Sequence, residues 1–421
     1  MIQSLRGTKD ILPKNIDIWQ YIYNVANHIL TLYNYNEIRT PILEQTLLFK
    51  RSIGENTDII NKEMYSFNDQ GGRSITLRPE GTASIVRAFI DNQLYSDKKI
   101  NRLWYFGPMF RYERPQQGRQ RQFHQLGIEC IGSHDPIADT EVIRLATEIL
   151  NTLNYTSYKL HINCIGDYNE REEYKYKLLN YLHKYKQDLD IDSQKRLHTN
   201  PIRILDSKSK KTQEILNDGP KLKSCLKINS LKHFNTLCSY LTSMNISYYI
   251  DDYLIRGLDY YNTTAFEIKT NSLNQQNTVC GGGRYDTLIQ QLGGPDTPSI
   301  GWAIGIERLI LLIDNNIRNI IKPKPIYLAT QGEQAKMKIW QIISLLEKYN
   351  VSFELDISNQ NFNKQIKKAH ILKSKLCLII GDKEVSENYT TIKWLKTGIQ
   401  KNIHDTLLEN YILYIKNFLN I

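Results

Sequence analysis

Residues 102 to 132, RLWYFGPMFRYERPQQGRQRQFHQLGIECIG, constrain the fold more than any other stretch of this chain. Two strand-like runs flank a loop of Arg, Gln, Pro and Gly. Trp104, Phe106, Phe110 and Tyr112 share one parity, and Met109, Arg111 and Glu113 share the other. On the return run His124, Leu126, Ile128 and Cys130 alternate with Phe123, Gln125, Gly127 and Glu129. Successive strand side chains point to opposite faces. Paired as a hairpin, the runs pack one face on a core and gather Arg111, Glu113, Gln125 and Glu129 on the other. Burying such polar groups without partners is costly. That face is either the floor of a ligand site or the solvated side of an antiparallel hairpin, and both readings stay open at this point.

Around the hairpin, other segments show clear periodicity. Asp17 to Asn34 carries Trp19, Ile22, Val25, Ile29 and Leu32 at helical spacing after Pro13, and Glu37 to Leu43 reads as extended. Met64 to Phe67 and Ser74 to Arg78 are expected strands joined near Gly71-Gly72. Glu80 and Thr82 then stand at a strand-to-helix corner, a position that suits either a ligand pair or a helix cap. Asp139 to Leu153 is an amphipathic helix and 158 to 164 a strand. From Gly166 to about Leu226 the composition turns to Lys, Tyr, Asn and Asp, which reads as a helical insertion with its own small core.

Tyr248 to Ile268 returns to a β-favouring run dense in polar and aromatic groups: Arg256, Asp259, Tyr260, Tyr261 and Glu267. Gly281-Gly282-Gly283, Gly301 and Gly305 permit close approach of the backbone to a ligand. Arg308 falls in the first turn of an apolar helix, where a cation opposes the helix dipole unless an anion or a carboxylate partner sits there. Pro323 and Pro325 mark a linker. Beyond it strands (IYLATQ, VSFELDI, KLCLIIG, near TTIKWL) and helices (Glu333 to Tyr349, NFNKQIKKAHIL, 405 to 420) predict an α/β domain, with Lys364, Lys367 and Lys368 as candidate RNA-backbone contacts.

Composition bounds the function classes. The 421 residues suit two or three domains, and 54 Lys and Arg against 44 Asp and Glu give a formal charge of +10, which favours polyanionic partners. The six cysteines include no C-x-x-C pair, and the nine histidines no H-E-x-x-H, so zinc spacing and a disulfide framework are not expected. Neither a P-loop nor a dinucleotide fingerprint is present. No apolar run approaches the ~18 residues of a membrane span, and the expected compartment is the reducing cytoplasm.

Five segments together resemble the histidyl-tRNA synthetase family, bacterial type, of class II aminoacyl-tRNA synthetases. EIRTPILEQTLLFKRSIGE is similar to class II motif 1, GPMFRYERPQQGRQRQFHQLGIE to motif 2 and GWAIGIERL to motif 3. RGLDYYNTTAFE is similar to the histidine-specific signature, and GGGRYD accompanies it. The resemblance spans nearly the whole chain. It implies an α+β protein: an antiparallel, six-stranded catalytic sheet over 1–322 with a helical insertion at about 166–226, then an α/β anticodon-binding domain over 323–421. It also implies a homodimer through the motif 1 region.

For the site, the resemblance implies ATP with Mg²⁺, L-histidine and tRNA(His), with no resident metal. Arg111, Arg256 and Arg308 are the implied catalytic arginines, and Glu113, Arg121 and Phe123 join Arg111 and Arg308 on ATP. Glu80, Gly81, Thr82, Gln125, Glu129, Tyr260 and Tyr261, with Arg111 and Arg256, are implied for histidine. Arg119 and Arg121 also fall on the loop implied to meet the acceptor stem. The alternative is a non-catalytic, synthetase-like regulatory subunit of histidine biosynthesis, which lacks the anticodon-binding tail.

Overall fold

The computed structural model describes residues 2–54, 57–270, 278–317 and 324–419. The chain divides into two compact units, Met1–Ile317 and Arg318–Ile421. The expected boundary at 322/323, Pro323 of the linker, Glu55 of the motif 1 segment and Asn420 of the last helix lie outside the described residues.

The first unit is built on an eight-stranded sheet. Its strand order is Asn36–Glu37, Asn101–Phe110, Gln122–Ile131, Ser299–Gly305, Thr278–Arg284, Asn262–Lys269, Lys159–Gly166, Tyr248–Ile250. The six central strands are antiparallel throughout, and the two short outer strands pair parallel to their neighbours. The edges thus add two strands to the six implied, because each edge strand leaves free backbone groups that a passing segment can bond.

One face of this sheet is closed by helices Pro13–Leu32, Pro136–Thr152 and Ile228–Ser243. Trp104, Leu126, Ile128, Phe266 and Trp302 form its core with Ile29, Val142 and Leu237. Such fully buried side chains contribute about 1.5–3 kcal/mol each relative to exposure. The helices begin where local chemistry directs: Pro13 and Pro136 occupy first turns, and Asp135 accepts the Ile137 N–H at 2.9 Å.

A three-stranded sheet, Leu43–Gln45 with Ser74–Leu77 and Tyr65–Asn68, stands beside the helix Thr82–Asp91. The insertion is helical, from Tyr168–Leu182 through Leu222–Cys225. It has no separate core, which corrects the expectation. Tyr174, Leu178, Leu197, Ile204 and Leu222 pack in one cluster with Leu103, Tyr105, Met109, Tyr260 and Tyr285 on the second face of the main sheet. Sixty residues of charged helix supply too few apolar side chains for a core of their own, so the insertion completes the catalytic one.

Two extended readings are also corrected. The first hairpin strand stops at Phe110, not Glu113, because the Tyr112 N–H leaves to donate to the Glu63 carbonyl at 2.7 Å. Residues 251–261, including Arg256 to Tyr261, are irregular and lie between strands.

The second unit is an α/β sheet in the order Phe353–Leu355, Ile326–Thr330, Leu376–Ile380, Tyr389–Trp394, Gln400–His404. The first three strands are parallel and the last two antiparallel. The strand Gln400–His404 escaped periodicity because only Ile403 in it is buried. Lys364 and Lys367 are exposed, whereas Lys368 bonds Ser358 at 2.6 Å and Asp356 at 3.5 Å.

Candidate active site

The second face of the main sheet is hollow because its central positions lack side chains. Gly301 pairs with Glu129, Ala303 with Gly127 and Gly305 with Gln125 across one ladder. Gly281 pairs with Ala303 and Gly283 with Gly301 across the next. The glycines therefore permit close approach, and what approaches is the protein's own polar groups. A Cβ on Gly281 would overlap the Arg256 guanidinium, and one on Gly301 the Glu129 carboxylate.

At one end of the hollow lie carboxylates and hydroxyls. Glu80 accepts the backbone N–H groups of Thr82 and Ala83, both at 2.8 Å. It is thus the helix cap, and the cap and ligand-facing readings of this corner are compatible. Tyr260 Oη donates to Glu80 at 3.3 Å. Thr82 Oγ1 donates to Glu129 Oε1 at 2.8 Å, and Tyr285 Oη donates to Glu129 Oε2. Burial raises the Glu80 carboxyl above its usual range. Burial also pushes Glu129 up to about 8, against the Tyr285 and Thr82 hydrogen bonds that favour its ionised form. Tyr261 is pushed up to about 12 by the same burial.

Gln125 belongs to this end, and its buried Oε1 has no hydrogen-bond partner. The buried Tyr105 hydroxyl is likewise unpartnered. Its ring tip lies where side chains at Gly81 and Gly127 would be. An unmatched buried acceptor and donor are costly without a ligand.

Arginines gather at the other end. Arg111 Nε donates to the Pro79 carbonyl at 2.8 Å, and its guanidinium lies 5.3 Å from the Phe123 ring centroid. Glu113 is off the sheet, held by Arg119 at 2.8 Å with Arg111 4.0 Å away. Arg121 packs over Tyr112 at 3.7 Å, and its backbone N–H donates to the Gly7 carbonyl at 2.7 Å. Arg308 donates to the Thr278 carbonyl. Burial lowers its pKa, as do the nearby charges of Arg119 and Arg111. Its neighbour Glu307 turns away, accepting the His124 backbone N–H at 2.9 Å and meeting His124 Nδ1 at 2.9 Å.

Arg256 stands between the ends, paired with Glu267 and 5.5 Å from the Tyr261 ring. Of the residues expected for the two substrates, Glu80, Thr82, Gln125, Glu129, Tyr260 and Tyr261 gather at one end and Arg111, Phe123 and Arg308 at the other, with Arg256 between them, while Glu113 and Arg121 stand on the loop rather than the floor. Tyr285 and Tyr105 were not singled out by sequence. Parity could have found both, because Tyr105 shares the face of Met109 and Arg111, and Tyr285 follows Gly281 and Gly283 at period two.

A glycine-hollowed antiparallel floor with an arginine end beside a carboxylate–hydroxyl end agrees with what the resemblance to the class II aminoacyl-tRNA synthetases implies. Residues 7–309 match the family model described as histidyl-tRNA synthetase, and residues 325–414 match an anticodon binding domain. The chain belongs to the histidyl-tRNA synthetase family. It is 62% identical to a chloroplastic histidine–tRNA ligase of Gracilaria tenuistipitata var. liui, covering 95% of each chain. It is 50% identical to a histidine–tRNA ligase of Rippkaea orientalis, covering 99% of this chain and 97% of the relative. Among solved structures, apo histidyl-tRNA synthetase of S. aureus superposes with a TM-score of 0.82 at 36% identity, covering 98% of this chain and 100% of that one.

Proposed function

We propose that this chain is a histidine–tRNA ligase that binds histidine at the carboxylate–hydroxyl end of the hollow and ATP at the arginine end. The histidine carboxylate attacks the α-phosphorus, pyrophosphate leaves, and the histidyl group then passes from the adenylate to the 3′-terminal adenosine of tRNA(His). The shared hairpin carries this reading: Gln125 and Glu129 lie on its second strand, and Arg111 directly follows the first, its backbone N–H still bonded to the Arg121 carbonyl at 2.9 Å, so both proposed substrates meet over one hairpin. In-line positioning and fixed cations are what phosphoryl transfer needs.

Glu80, Thr82 and Gln125 hold the α-ammonium, a role that supplies Gln125 Oε1 with its missing donor. Glu129 and Tyr261 meet the two imidazole nitrogens, with Tyr260 and Gly81 as pocket wall. Arg111 and Arg256 neutralise charge at the α-phosphate, and Arg308 reaches the γ-phosphate, relieving its repulsion from Arg111 and Arg119. Phe123 and Glu113 meet adenine, and Arg121 the pyrophosphate. Mg²⁺ arrives on the nucleotide phosphates, since among the described residues no three His, Cys, Asp or Glu are grouped to hold it.

A homodimer is proposed through the motif 1 region, where Leu43, Leu47 and Phe67 are about half exposed (50%, 50% and 48%) on one small sheet and its helix. Residues 1–322 and 323–421 are proposed as catalytic and anticodon-binding domains. The matched segment at 325–414 favours the ligase over a tail-less regulatory subunit. Its compartment is proposed to be reducing, the cytoplasm or a plastid equivalent: all six cysteines are free. Among the described residues no helix is long and apolar enough to cross a membrane.

The test is ATP–pyrophosphate exchange without tRNA. Exchange that depends on histidine is expected, and a folded protein that exchanges equally with or without it overturns the proposal.

A further inference from the structure

Glu129 is held from three sides by groups of which only Thr82 belongs to the residues assigned to substrate. Gly301 on the neighbouring strand leaves room for the carboxylate and for nothing larger, since a Cβ there would overlap Oε2 and the Ile128 carbonyl. Thr82 donates to one oxygen. Tyr285 donates to the other.

The tyrosine is itself over-determined. It continues the Thr278–Arg284 strand, and its N–H donates to the Ser299 carbonyl at 2.8 Å. Its ring is 1% exposed and meets Tyr260 edge-on at 5.8 Å between centroids. A hydroxyl has one proton to donate. Tyr285 spends it on Glu129, so the orientation of one is the orientation of the other.

We infer that Tyr285 is a positioning residue for histidine selection, whose hydroxyl fixes the Glu129 carboxylate in the orientation that accepts from the imidazole edge. The inference rests on the proposed role of Glu129 as an imidazole partner. A site built to hydrogen-bond a polar substrate edge discriminates by leaving its own groups unpaired when the wrong substrate binds. That discrimination requires an oriented partner, because a carboxylate free to rotate can repair its losses elsewhere.

The hydroxyl also decides which form of Glu129 the ligand meets. The titratable groups facing Glu129 are Glu80, Tyr105, Tyr260, Tyr261 and Tyr285, and no cation contributes to its shift. Burial and Glu80 favour the acid, while the Tyr285 and Thr82 donors favour the carboxylate. Removing the Tyr285 donor therefore moves Glu129 toward a protonated group, which donates where an imidazole N–H needs an acceptor.

Tyr285→Phe keeps the ring and deletes only the donor. In histidine-dependent exchange it is expected to raise the KM for histidine about tenfold, the usual effect of one hydrogen bond to an ionised group. The KM for ATP is expected to stay within about twofold, and the pH dependence of the histidine KM to move to higher pH. In a Glu129→Gln background the same substitution should change histidine affinity less than twofold, since its partner carboxylate is gone. That cycle is read by calorimetric histidine binding, so it does not require turnover.

A histidine KM within twofold of the parent, with an unmoved pH profile, overturns the inference and leaves the ligase reading intact. So does an equal effect in both backgrounds, which marks a purely structural tyrosine. A parent protein without histidine-dependent exchange overturns both.

Discussion

At the carboxylate–hydroxyl end, Glu80 and Glu129 lie buried with hydrogen bonds from backbone amides and hydroxyls, and every hydroxyl partner is uncharged. At the arginine end, Arg111, Arg119 and Arg308 stand near one another on a largely buried rim, with Glu113 and Glu63 as carboxylates nearby. Each end is incomplete in the opposite sense. One raises acids toward neutrality, and the other crowds cations together. On the proposed function, a zwitterionic amino acid and a polyanionic nucleotide relieve those two imbalances respectively.

The contrast can be broken most severely where the ends join. Arg256→Ala removes the cation that lies against Gly281 and beside Tyr261, and exchange is expected to fall by about 10³. Glu267 keeps Thr278 Oγ1 at 3.0 Å and Lys269 at 3.8 Å, so circular dichroism should report an intact fold. Exchange equal to the parent would remove Arg256 from the catalytic set.

A smaller effect separates the ends by pH. Burial holds Glu129 at about 8 when folded, above the ~4.3 of an unfolded glutamate. Between these values the folded state binds more protons than the unfolded one, so stability falls as pH rises through the window and levels above about 8. The Tm of the ligand-free chain should drop by a few degrees between about pH 5 and pH 8. Glu129→Gln should flatten the slope, and an unchanged slope in that variant assigns the effect elsewhere.

The smallest effect is ionic. Charges on a partly exposed rim, such as Arg119 at 44% exposure, are screened over about 10 Å at 0.1 M salt, whereas a fully buried end is screened far less. Raising salt from about 0.05 to 0.3 M should raise the ATP KM about twofold to threefold and leave the histidine KM unchanged. Equal sensitivity of both would erase the distinction drawn between the ends.

Much of this molecule was legible before folding. Period two chose the right face of the hairpin, placing Trp104, Leu126 and Ile128 in the core and Gln125 and Glu129 in the hollow. Helical spacing located two of the three helices that close the other face, Pro13–Leu32 and Pro136–Thr152, and passed over Ile228–Ser243. Those features are local: alternation, caps and proline positions act within a few residues and survive without tertiary context.

What local pattern could not supply was any relation across strands. Gly301 is an ordinary strand glycine until Glu129 lies opposite it, and Tyr285 is an ordinary aromatic until its hydroxyl reaches that carboxylate, 156 residues away in sequence. The same holds for the insertion, whose apolar residues join the core on the second face of the main sheet rather than form one of their own. Glu113 fits the floor by parity, and only the pull of the Glu63 carbonyl on Tyr112 takes it off the sheet. Sequence alone therefore determined the alternating strands, the capped helices and, through its family motifs, the two substrates. Tertiary structure decided which glycines are hollows and which hydroxyl orients which acid, because burial and hydrogen-bond geometry are properties of contacts between distant segments.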